Sequence, residues 1–141
     1  MLRIVQSDQE RKPWIFPPGF ASVDVRHLRT GDYTVEGFEE SLTIERKSLG
    51  DFVSTVIHDA IRFRKELRRM AAMSVACIVV EANLDQLLAH EYQSEANPKS
   101  VLGRAHSFLI DYGIPVLWWG PPEQCATAAL QFLELATRKL S

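Results

Sequence analysis

Cysteine is scarce in this 141-residue chain: Cys77 and Cys125 are the only two. They form no CxxC pair, so neither a disulfide framework nor a redox motif is indicated. Cys77 lies in the apolar run Val75-Ala76-Cys77-Ile78-Val79-Val80 and reads as core, whereas Cys125 opens a helical pattern and has no assigned role. The histidines His27, His58, His90 and His106 have no ligand spacing with one another, which excludes the usual zinc motifs. Long apolar runs are also missing: none approaches the ~20 residues that span a bilayer. The start, Met1-Leu2-Arg3-Ile4-Val5-Gln6, lacks the apolar stretch of a signal peptide. A soluble cytoplasmic protein without a membrane partner is expected. Charge of one sign is not in excess: 16 Lys and Arg stand against 18 Asp and Glu, a net charge of −2. That excludes a generally basic coat protein but not an enzyme with a local basic face, because acidic metal sites offset basic grooves in the sum. No internal repeat, linker or low-complexity segment interrupts the chain, and one domain over residues 1–141 is expected.

What is present is globular in composition, with 46% hydrophobic and 24% charged residues. Ile4-Val5 is a short strand candidate, and Val23, Val25 and Leu28 mark a weak second one. Between them lies a Pro-rich loop, Lys12-Pro13-Trp14-Ile15-Phe16-Pro17-Pro18-Gly19. The stretches around 31–35 and 42–47 alternate apolar and polar, the period of a half-buried hairpin. Leu49, Phe52, Val53, Val56 and Ile57 then form the stripe of an amphipathic helix, with Ser48 as N-cap and Asp51 three residues on, as in a capping box. A second helix is expected over Ala60–Met73, a buried strand over Ser74–Glu81, and a short helix over Leu84–His90. Pro98 opens a helix that Gly113 ends, Ile114–Trp119 is the last strand, and Pro121-Pro122-Glu123 starts the last helix. This order, β-rich and then αα-β-αα-β-α, argues for an α/β sandwich. Its sheet is mixed, antiparallel near the hairpin and parallel later, with helices on both faces.

A hairpin turn centred between Phe38 and Glu39 makes opposed residues sum to 77. Tyr33, Val35, Leu42, Ile44 and Arg46 then share one face, and Asp32, Thr34, Thr43, Glu45 and Lys47 the other. Asp32 opposes Glu45, and directly opposed Cβ atoms are about 4.5–5.5 Å apart. Two carboxylates at that separation repel unless a cation sits between them. Mg²⁺ suits the place, since it binds through one or two carboxylates and keeps waters for the substrate. Lys47 points to the same side. A carboxylate pair with a neighbouring lysine can hold a metal, favour ionisation of its water and stabilise phosphoryl charge.

Asp followed by Glu-x-Lys across a hairpin is the pattern of the PD-(D/E)xK nucleases. The match here is longer. Gly31-Asp32-Tyr33 and Glu45-Arg46-Lys47-Ser48-Leu49-Gly50-Asp51-Phe52 resemble the Gly-Asp-Tyr and Glu-Arg-Lys-x-x-x-Asp signature of the XPF-type structure-specific endonuclease domain. Lys12-Pro13-Trp14, Val80-Glu81, Asn97-Pro98-Lys99-Ser100 and Tyr112-Gly113-Ile114-Pro115-Val116 resemble compact bacterial and phage members of the group. The resemblance implies a restriction-endonuclease-like three-layer sandwich. It also implies Mg²⁺- or Mn²⁺-dependent cleavage of DNA at branched or single-strand/duplex junctions, in repair or recombination. Asp32 and Glu45 would bind the metal, with the Arg46 carbonyl as a third ligand. Lys47 would polarise the nucleophile, and Arg46 and Asp51 would complete the site. The family's first strand usually ends in Asp-x-Arg-Glu. Aligned through Pro13-Trp14, this chain keeps Glu10 but has Ser7 at the Asp position and Gln9 at the Arg position, so Asp8 and Arg11 are the candidate substitutes and Asp8 a candidate metal ligand. The alternatives are a catalytically silent DNA-binding or scaffold module of the same fold and a Holliday-junction resolvase.

Arg62, Arg64, Lys65, Arg68 and Arg69 put five cations in eight residues. Arg62, Lys65 and Arg69 share one side of their helix and are the candidate phosphate contacts. Trp14, Trp118 and Trp119 read as core or dimer packing rather than base-stacking platforms. The tandem helix-hairpin-helix that usually accompanies such nucleases has no room in 141 residues, so a stand-alone form is expected. The family pairs its nuclease domains, which implies a homodimer. The last helix agrees with that, because Cys125, Ala129, Phe132 and Ala136 extend its apolar surface beyond the stripe Ala126, Leu130, Leu133 and Leu140.

Overall fold

The computed structural model describes all residues, Met1–Ser141. Six strands, β1 (Leu2–Ser7), β2 (Ala21–Arg26), β3 (Tyr33–Val35), β4 (Leu42–Lys47), β5 (Val75–Val80) and β6 (Val116–Trp118), combine with five helices, the first four strands preceding every helix. The helices are α1 (Leu49–His58), α2 (Ala60–Ala71), α3 (Leu84–Leu88), α4 (Pro98–Tyr112) and α5 (Pro122–Leu140). The strands form one sheet in the order β2-β1-β3-β4-β5-β6. β1 and β3, and β3 and β4, pair antiparallel, while β4, β5 and β6 run parallel, as the hairpin followed by helical crossovers requires. β2 pairs parallel with β1 at the far edge.

The hairpin register is Tyr33 opposite Ile44. Its period of two sorts the side chains as the alternation predicts. Tyr33, Val35, Leu42 and Ile44 enter a core with Ile4, Trp14, Phe16, Cys77, Val79 and α5. On the other face Ile78 and Val80 pack with α1, α2 and α4, through Phe52, Val56, Phe63, Leu67, Val101 and Phe108. The sheet is therefore the middle of three layers.

The helix ends follow local chemistry. Ser48 Oγ accepts from the Asp51 N–H at 3.1 Å, but the Asp51 carboxylate makes no hydrogen bond, so only half of the expected capping box forms. An aspartate is one methylene shorter than the glutamate that reaches back in the full motif. Asn97 caps α4 through the Lys99 N–H, Pro98 opens it, and Gly113 closes it at φ 73°. In α5 the second stripe is not left for a partner: Cys125, Ala129 and Ala136 are buried in the same core as Ala126, Leu130 and Leu133. The sheet covers both stripes, and Phe132 packs on Trp119 with ring centroids 6.0 Å apart. That helix consequently gives no separate argument for pairing. No helix is long and apolar enough to cross a membrane.

Candidate active site

The site forms where β3 begins and β4 ends. Gly31 precedes it at φ 75°, and a Cβ there would lie 1.8 Å from Thr43 Oγ1, so the turn into Asp32 needs a glycine. The Asp32 N–H donates to the Ile44 carbonyl at 2.8 Å, and the Ser7 N–H donates to the Asp32 carbonyl at 2.8 Å. These bonds lock Asp32 between β1 and β4. Its carboxylate Oδ2 accepts from the Arg46 N–H at 2.7 Å.

Across the hairpin Glu45 leaves β4 on the face covered by α1 and α2. Lys47 Nζ lies 3.6 Å from Glu45 Oε2 and sits over the Phe63 ring at 5.5 Å. Both side chains are largely covered, Glu45 12% and Lys47 22% exposed. A recess of about 240 Å³ opens beside them, lined by Glu45, Lys47, Thr55, Asp59, Arg62, Phe63 and Glu66. Burial raises the pKa of both carboxyls above the ordinary range. For Glu45 the charge of Asp32 adds to burial, and for Asp32 the Arg46 hydrogen bond works against it. Both shifts favour the neutral acids, and at Glu45 the repulsion from Asp32 exceeds the attraction of Lys47.

This donor set fits a hard divalent ion. Two carboxylates converge without a thiolate or imidazole, and no group of three His, Cys, Asp or Glu side chains gathers as a ligand set here or elsewhere, so the pair would leave the rest of an ion's shell to water, backbone and substrate oxygens. Mg²⁺ typically takes one or two carboxylates and fills its shell with water and substrate oxygens.

Arg46 does not join the recess. Its guanidinium leaves the other face of β4 and is gripped there by Glu10 at 2.8 Å, Glu81 at 2.9 and 3.1 Å and the Lys12 carbonyl at 2.5 Å. It also lies over the Trp14 ring at 5.2 Å. Trp14 Nε1 donates to Glu81 at 3.0 Å, and the Trp14 N–H donates to Tyr33 Oη at 2.8 Å beneath a stacked ring pair 4.7 Å apart. Burial alone would lower the Arg46 pKa, but its bonds to Glu81 and Glu10 outweigh it and raise it further. Burial also pushes the Tyr33 hydroxyl up.

The remaining sequence candidates divide. Glu10 is brought in, close enough for its charge to raise Asp32. Asp8 is not: its carboxylate accepts from Gln9 Nε2 at 3.2 Å and stands 4.0 Å from His27 Nδ1, because the chain turns out of the sheet after Ser7. Asp51 is exposed on the first turn of α1, where capping geometry holds its backbone and no side-chain partner holds its carboxylate. Arg62 lines the recess, Lys65 is exposed, and Arg69 pairs with Glu66 at 3.0 Å. Asp59 and Glu66 line the recess and Glu81 grips Arg46; Val80-Glu81 belongs to the sequence resemblance, but no motif assigns any of the three a role. Strand parity was the available signal for Glu81, since Val79 and Glu81 continue the face on which Arg46 emerges.

Residues 18–129, most of the chain, match the model of the ERCC4 domain, and the chain belongs to that family, whose fold is the XPF-type nuclease domain. XPF from Aeropyrum pernix superposes with a TM-score of 0.73 at 22% identity, covering 96% of this chain and 62% of that one. The structure of the same protein in complex with DNA gives 0.70 at 22% identity, covering 99% and 66%. A Methanocaldococcus jannaschii protein, named as an ATP-dependent RNA helicase, is 22% identical over 133 residues, 94% of this chain and 15% of the relative. The chain spans less than two thirds of each of these proteins.

Proposed function

We propose that this domain is a Mg²⁺- or Mn²⁺-dependent DNA endonuclease that cuts branched or single-strand/duplex junction DNA. The observation that carries the reading is the opposed, largely buried pair Asp32 and Glu45 with Lys47 3.6 Å from Glu45, in a chain of the ERCC4 domain family. Asp32 and Glu45 would hold the ion, which supplies an acidified water and charge stabilisation at the phosphorus. Lys47, pinned between Glu45 and the Phe63 ring, orients the attacking water and balances the growing negative charge. The Arg46 peptide fixes the Asp32 carboxylate through its N–H, so Asp32 would meet an ion already oriented. Glu10 acts through Arg46 rather than on substrate. Asp51 organises the start of α1. Arg62, Lys65 and Arg69 contact phosphates without reading bases. The structural neighbour solved with DNA supports DNA as the ligand.

A catalytically silent DNA-binding module is the second reading, favoured by one observation: Ser7 stands where the family has an acid, and Asp8 turns toward His27. Homodimer formation belongs to the main reading on the family resemblance. One experiment separates these readings: cleavage of labelled flap, fork, Holliday-junction, single-stranded and duplex DNAs with Mg²⁺, Mn²⁺ or chelator. Metal-dependent cuts beside flap or fork junctions support the proposal. Symmetric cuts confined to Holliday junctions indicate a resolvase, and binding without cleavage indicates the silent module.

A further inference from the structure

A second groove lies along the same helix. One wall is the loop His27–Thr30, and the other is the last turn of α2 with Arg69 and the Met73 that follows it. Together with the hairpin turn they enclose a cavity of about 560 Å³. The loop is firmly seated, because Thr43 Oγ1 donates to the Thr30 carbonyl at 3.1 Å and Gly31 packs against Thr43. Both walls lead to the carboxylate pair. The loop runs through Thr30 and Gly31 directly into Asp32. Arg69 is bonded at 3.0 Å to Glu66, which lines the Glu45 recess.

The charges in the groove are unequally committed. Arg26 is spent on Asp24 at 2.8 Å and Glu36 at 2.7 Å. Arg29 is exposed and has neither a hydrogen-bond nor an ion-pair partner for its guanidinium. His27 is 80% exposed, with Asp8 4.0 Å away. Glu39 and Glu40 lie at the hairpin turn, and Glu39 accepts from the Gly37 N–H at 2.6 Å. The groove is therefore cationic on the walls that reach the site and acidic at the turn.

Resting on the nuclease reading, we propose that this groove seats the sugar–phosphate backbone of the DNA strand adjoining the cleaved bond. Arg29 and Arg69 are its phosphate contacts, and Glu39 and Glu40 mark its end. Arg29, unpaired and exposed on a fixed loop, can meet a phosphate without breaking an ion pair, whereas Arg69 would exchange its exposed pair with Glu66 at 3.0 Å for a phosphate contact, and such exposed pairs hold little energy.

The test compares two double variants of the full chain, Arg29→Ala/Arg69→Ala and a charge-matched control, Arg138→Ala/Lys139→Ala, on α5 across the sheet. Affinity for a mixed-sequence single-stranded 30-mer and for a flap DNA is measured against salt, in chelator. The groove variant should lower the magnitude of the log–log salt slope for the single strand by about 1.4, from ~0.7 per lost phosphate contact. The control should leave it unchanged. Equal slopes and affinities for the two doubles, with wild type binding or cutting DNA, overturn the groove alone. A wild-type domain that neither binds nor cuts DNA overturns the nuclease reading, and the groove with it.

Discussion

Arg46 and Lys47 are neighbours in sequence but leave β4 on opposite faces of the sheet. Lys47 meets Glu45 at 3.6 Å beside the recess, and Arg46 meets Glu10 and Glu81 at 2.8 and 2.9 Å behind it. The pleat thus divides one short motif into two tasks. Glu45 and Lys47 face the recess. Arg46 ties the Glu10 loop, β4 and the end of β5 together, and its own N–H holds Asp32.

Arg46→Ala should therefore unfold far more readily than wild type. Arg46, Glu10 and Glu81 are only 12, 13 and 11% exposed, so the change strands two covered carboxylates. Removing one partner of such a buried pair costs about 3–5 kcal/mol. Urea denaturation measures it, and Arg46→Lys should recover only part of the loss because a point charge cannot replace the planar fork. A wild-type midpoint for Arg46→Ala would show that the cluster does not hold the loop.

Lys47→Ala should behave in the opposite way. Its stability should fall less, because burial already favours a protonated Glu45 that can go neutral when its cation is removed, while the single-turnover cleavage rate falls by roughly 10²–10³, as when one preorganised electrostatic stabiliser is lost. DNA affinity should fall much less. An unchanged rate would remove Lys47 from the mechanism.

The contrast shows what was legible before the structure. The turn between Phe38 and Glu39 set the hairpin register, and with it the opposition of Asp32 and Glu45, while period-two alternation sorted the faces, because parity is a local property of strands. Ser48, Pro98 and Gly113 marked helix ends for equally local reasons. The partners of Arg46 were not legible. Glu10, Glu81 and Trp14 come from three distant segments, and only the β4–β5 pairing places Glu81 beside Arg46. The two-stripe helix α5 misled for a related reason: a sheet flanked by Trp14 and Phe16 covers more helix surface than a single stripe suggests.

Stability of the metal-free protein should fall as pH rises through and beyond the ordinary carboxylate range. Asp32 and Glu45 are raised chiefly by burial, so the unfolded chain releases these protons first and the folded chain retains them to higher pH. In that interval the folded state binds more protons, and raising pH destabilises it. Thermal melts across pH, in chelator, check this. Glu45→Gln should flatten the decline, and saturating Mg²⁺ should offset it. A metal-free melting temperature that rises over the same interval would show that the pair is not strained by its charge.

Asp32→Asn should keep the fold and, in chelator, match or exceed wild-type melting, since a neutral amide ends the repulsion with Glu45. Isothermal titration with Mn²⁺ should lose the wild-type binding event. Retained Mn²⁺ affinity would mean that Asp32 is not a ligand.

The most direct measurement is single-turnover cleavage of a labelled flap DNA by wild type and by folded Asp32→Asn, each with Mg²⁺ and with chelator. Cleavage should appear only for wild type with Mg²⁺. Wild-type rates from Asp32→Asn, or undiminished cleavage in chelator, would contradict a metal held between Asp32 and Glu45.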